Sequence, residues 1–106
     1  MARTFIRVPA QAKRGDIVEI KAMVEHPNHS GFRVDDVGKA IPRHIVETFT
    51  CVYAGKEVFR ATLHPAIATN PYLSFFVVAR ETGDLELTWT DDRGVIVKEH
   101  ATLSVV

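Results

Sequence analysis

The chain has one cysteine in 106 residues, no apolar run long enough to span a membrane, and no excess charge of either sign. Each absence removes a class of function. A lone thiol, Cys51, cannot close an internal disulfide, so the fold has to rest on its core and not on a covalent framework. Thirteen basic and thirteen acidic side chains cancel, leaving no summed field to gather nucleic acid or an anionic membrane surface. Neither partner is expected. The chain lacks the roughly 18 consecutive apolar residues of a membrane span. "MARTFIRVPAQAKRGD" is broken by arginine, proline and lysine and has no signal-peptide core, so nothing here directs export. Also missing are a nucleophile elbow, a phosphate-cradling glycine loop, a zinc-ligand cysteine pair and a dinucleotide fingerprint. No catalytic residue and no cofactor is assigned, and the chain reads as a non-enzyme.

What is present is alternation with period two. In "DIVEIKAMVEH", Val18, Ile20, Ala22 and Val24 face one way while Glu19, Lys21, Met23 and Glu25 face the other, the pattern of an antiparallel strand with one wet face. Similar segments recur at "RTFIRV", "HIVETFTCVYA", "KEVFRATL", "YLSFFVVA", "DLELTWTD" and "VIVKEHATLSV". About seven short strands predict an all-β, immunoglobulin-like antiparallel sandwich. Hairpins are expected at "YAGKE" and "TDDRGV", where glycine and acidic residues separate alternating runs. Three-four apolar spacing is not sustained, and prolines 9, 27, 42, 65 and 71 stand at segment edges, so little or no helix is expected. With no internal repeat or linker, residues 1–106 form a single domain. The longest irregular stretch is "PNHSGFRVDDVGKA", residues 27 to 40.

Three groups of residues invite a chemical reading. His26 and His29, with His44 beyond them and Cys51 as a further candidate, could contribute to a small His-ligated metal or redox site if they converged. The ordinary alternative is a strand-ending His-Pro turn, and no metal site is assigned. Cys51 sits mid-strand on the face of Phe49 and Tyr53, away from any electropositive setting, and reads as a core thiol. Asp35-Asp36 and Asp91-Asp92 read as turn formers. The third group is "NPYLSFF". After the Asn70-Pro71 turn, Leu73, Phe75 and Val77 alternate with Tyr72, Ser74, Phe76 and Val78, so both faces of one strand carry large apolar groups. One face can fill the core; the other needs a covering loop or a partner protein.

Four strings taken together, "HPNHSGFR", "GKAIPRHIVETF", "PAIATNPYLSF" and "TWTDDRG", make the sequence resemble the SoxZ family from about residue 5 onward. The resemblance implies an immunoglobulin-like sandwich that pairs with SoxY, whose flexible C-terminal cysteine arm carries sulfur intermediates in thiosulfate oxidation. It implies transient docking of other Sox enzymes and no catalytic residue in the chain. It also implies a periplasmic location, reached by export with a signal-bearing partner. The partner-binding candidates are then Asn70, Pro71, Tyr72, Phe75 and Phe76. The loop and docking candidates are His26, Pro27, Gly31, Arg33, Asp35, Ile41 and Pro42. Asn28, His29 and Ser30 depart from the family's usual methionine, acidic residue and threonine after His-Pro.

Overall fold

The alternating segments pair into two sheets in the computed structural model, which describes residues 3–25, 45–63 and 71–106. The seven strands among these residues are β1 (Thr4–Arg7), β2 (Ile17–Val24), β3 (Val46–Tyr53), β4 (Lys56–Thr62), β5 (Tyr72–Val78), β6 (Gly83–Asp91) and β7 (Ile96–Leu103). One sheet has the order β1-β2-β5 and the other β4-β3-β6-β7, with every neighbouring pair antiparallel. The described part of the chain is thus the all-β sandwich that its period-two pattern predicts, and no described residue is helical.

The inner faces are set by the same alternation. Val18, Ile20, Ala22, Val24, Phe75 and Val77 of the three-stranded sheet meet Phe49, Cys51, Tyr53, Leu85, Leu87, Trp89 and Leu103 of the four-stranded one, all buried. Phe49 is the hub. Its ring centroid lies 5.2 Å from Trp89, 5.7 Å from Phe75 and 6.1 Å from Phe59, and Phe59 stacks on Phe75 at 4.5 Å. Tilted and offset aromatic pairs of this kind add to the gain from removing large apolar surfaces from water.

Both expected hairpins form, each by its own device. Ala54 and Gly55, with φ of 49° and 82°, make the two-residue connection between β3 and β4. Two successive left-handed residues match the twist of the flanking strands. Between β6 and β7 the carboxylate of Asp91 accepts the N–H groups of Arg93 and Val95, each at 2.9 Å, and Gly94 takes φ 80°. Asp92 reaches sideways: its N–H donates to the carbonyl of Ile45 at 2.9 Å and its carboxylate accepts the N–H of Ile45 at 3.2 Å. "TWTDDRG" therefore builds a turn and ties it to the start of β3, the turn role read for Asp91-Asp92.

A further tie holds the chain beyond β5. The Tyr53 hydroxyl donates to the carbonyl of Glu81 and accepts the N–H groups of Arg80 and Glu81, at 3.2 and 3.0 Å. The tie anchors the chain just beyond β5, whose outward side chains are set by its register with β2.

Candidate functional site

Strand β5 turns its two faces to opposite environments. Phe75 and Val77 are buried and Leu73 partly so, whereas Tyr72 and Phe76 are 57% and 64% exposed. The sequence reading named Phe75 and Pro71 among the partner-binding candidates. The structure corrects both. Phe75 lies in the core, stacked on Phe59, and Pro71 is buried with its carbonyl accepting the N–H of Val24. Among the described residues of that group, Tyr72 and Phe76 present side chains outward; Asn70 lies outside the described residues, as do His26, Pro27, Gly31, Arg33, Asp35, Ile41 and Pro42.

The outward side chains of β5 do not stand alone, because β2 and β1 continue the same face. Met23 is opposite both Tyr72 and Phe5, Glu19 is opposite Phe76, and Ile17 is opposite Val78. Phe5, Ile17, Tyr72, Phe76 and Val78 are all exposed. Arg3 lies over the Phe5 ring at 5.2 Å, and a shallow hollow of about 670 Å³ is walled by Phe5, Arg7, Lys21, Met23 and Tyr72 among others. Large exposed apolar side chains gathered on one sheet face mark an interaction surface. Phe5 and Ile17 were not singled out from sequence. Alternation in "RTFIRV" and "DIVEIKAMVEH" already turns both of them outward, but only strand order shows that they join Tyr72 and Phe76.

The outer face of the four-stranded sheet is of another kind. Thr48, Thr50, Thr88 and Thr90 lie across its middle, with charged pairs beside them: Lys98 to Glu86 at 3.6 Å, Arg60 to Glu57 at 2.8 Å and His100 to Asp84 at 2.9 Å. The hydrogen bond to Asp84 raises the His100 pKa above its ordinary value. These exposed pairs make a solvated surface. Glu99, opposite Leu87 on the inward side of β7, instead accepts the hydroxyl of Thr4 from the other sheet at 2.7 Å, which holds its carboxyl below the usual range. Elsewhere among the described residues, Val95, Ile96 and Val106 are the other large exposed hydrophobics.

Cys51 is fully buried, and burial pushes its thiol up to about 11. It should resist a thiol-specific reagent in the native protein and react completely once urea unfolds the chain. Rapid labelling of native protein would contradict the core assignment. No group of three or more His, Cys, Asp or Glu that could hold a metal occurs among the described residues. His26, His29 and His44, which carried the metal alternative, lie outside them.

A family model described as "Sulphur oxidation protein SoxZ" matches residues 6–102. The chain belongs to the SoxZ family. No curated protein matches it by sequence. Among solved structures, the sulfur carrier protein SoxY from Chlorobium limicola f. thiosulfatophilum is similar, with a TM-score of 0.68 and 13% identity over 97% of this chain and 78% of that one. Superoxide reductase (neelaredoxin) from Ignicoccus hospitalis has a TM-score of 0.76 and 15% identity, covering 97% of this chain and 80% of that one. The enzyme from Archaeoglobus fulgidus has a TM-score of 0.65 and 23% identity, covering 95% and 86%. These structural likenesses establish a shared sandwich fold. The SoxZ match places the chain in sulfur oxidation.

Proposed function

We propose that this SoxZ-family chain is the non-catalytic subunit of a sulfur-carrier pair. It binds SoxY and holds it so that the C-terminal cysteine arm of SoxY, which carries the sulfur intermediates, can be presented to the Sox enzymes of thiosulfate oxidation. SoxY covers the outer face of β1, β2 and β5, and the arm and the polar outer face of the other sheet stay accessible to enzymes that dock transiently. The pair works in the periplasm, which it reaches on the export signal of SoxY.

The family match over residues 6–102 carries this reading. The exposed set Phe5, Ile17, Tyr72, Phe76 and Val78 supports its placement, since a binding subunit needs an apolar patch that its own core does not use. The superoxide reductase likeness, at 15 to 23% identity in the two examples given, concerns the fold. The thiol that a redox reading would recruit, Cys51, is buried in the core.

Co-expression with SoxY from the same host, followed by affinity capture and intact mass measurement, tests the proposal. A stoichiometric pair is expected, with sulfur adducts confined to the SoxY cysteine. A chain that stays unpaired beside SoxY at micromolar concentration would refute it.

A further inference from the structure

The apolar outer face has a charged centre. Arg7 on β1 and Lys21 on β2 are direct cross-strand partners on that face, lying between the Phe5 and Tyr72 end and the Phe76 end. Like charges in such register repel. Lys21 is partly relieved by Glu19 at 3.8 Å, and Glu19 also accepts the Ser74 hydroxyl at 2.6 Å. Arg7 is exposed and makes no ion pair among the described residues. The hollow of about 670 Å³ beside Tyr72 and a smaller one of about 250 Å³ beside Glu19 share Arg7 and Lys21 as walls. Whatever seats on the apolar face therefore closes over both cations.

In water an unpaired guanidinium is solvated; under a protein surface it loses that hydration and has to be met by an acid. We propose that Arg7 is a specificity-determining residue of this face, receiving a carboxylate of the SoxY partner that lies between two apolar contacts. The inference rests on the reading above that SoxY covers this face. The planar guanidinium fork suits a bidentate carboxylate, a geometry that lysine cannot reproduce. A second copy of the chain is a poor occupant. Among the described residues, the acids that its own face would bring are Glu19 and Glu25; the first is engaged by Lys21 and Ser74, the second by Arg3 at 3.8 Å.

The test measures affinity and association rate for SoxY, at several salt concentrations, with the wild-type chain and with Arg7→Ala, Arg7→Lys, Arg7→Glu and Phe76→Asp. Arg7→Glu is expected to weaken pairing about 100-fold, slow association most at low salt, and be rescued by changing one acidic SoxY residue to arginine. Arg7→Lys should recover only part of the affinity. Since Arg7 is exposed and repelled by Lys21, its variants should unfold at a urea concentration no lower than that of the wild type. Wild-type pairing by Arg7→Glu, with pairing lost in Phe76→Asp, would overturn the role of Arg7 and leave the face assignment standing. Wild-type pairing by both would overturn the face assignment too, and a wild-type chain that ignores SoxY would overturn the proposed function itself. Self-association of the isolated chain, abolished by Arg7→Glu, would also overturn the inference by making a second copy the occupant.

Discussion

Replacing Phe76 with aspartate is expected to leave the chain folded and to remove its pairing with SoxY. The Phe76 side chain is 64% exposed on the outer face of β5 and contributes no ring contact to the aromatic core. Its loss costs the isolated chain little. The new carboxylate would stand opposite Glu19 in the β2–β5 register, a like-charge contact worth roughly 0.2–1 kcal/mol in a sheet. Within the pair the same carboxylate would be buried without a partner. Such a charge costs on the order of 3–5 kcal/mol, or roughly 100- to 4,000-fold in Kd. Tyr72→Asp, near the opposite end of the strand, should act in the same direction. Titration calorimetry against SoxY, with urea unfolding of each variant alone, separates the two effects. Unimpaired pairing by both folded variants would remove β5 from the interface.

Phe49→Ala should do the reverse, destabilising the chain itself. Phe49 is 0% exposed and touches the rings of Phe59, Phe75 and Trp89, which come from β4, β5 and β6, so its removal opens a cavity shared by both sheets. Truncating a buried phenylalanine costs about 3–5 kcal/mol. A domain of this size holds only about 5–15 kcal/mol in total. The urea midpoint should therefore fall by a large fraction of its value, with a slope near that of the wild type. A loss below about 1 kcal/mol would show that the core is not centred on this ring. Compared with Phe76→Asp, the result would distinguish the two uses of phenylalanine in adjoining elements: one holds the sheets together, the other is held ready for a second protein.

Which side of a strand faces inward was legible because a strand repeats every two residues. Val18, Ile20, Ala22 and Val24 read as one inner row, and all are buried. The same rule put Phe75 and Phe76 on opposite faces of β5, but with both faces apolar it could not say which was inner. Packing against Phe59 decided it, and a ring on the core face cannot also meet another protein. Hairpins were legible from glycine and aspartate, although Ala54 at φ 49° takes a left-handed position that its residue type does not advertise. The long 27–40 segment, and with it most of the docking candidates, lies where the structure describes nothing.

By itself, then, the sequence determined the fold class, which side chains share a face of each strand and, through its motifs, the SoxZ family. These are local properties, written in residue order and spacing. Tertiary structure alone decided that β5 pairs with β2 although 47 residues separate Val24 from Tyr72 in the chain, and that β1 lies on the far side of β2. Long-range pairing depends on how sheets stack around Phe49 and its neighbours, which no single stretch encodes. That pairing brings Phe5, Arg7, Lys21, Tyr72 and Phe76 onto one face, and makes scattered exposed side chains into a surface that another protein can bind.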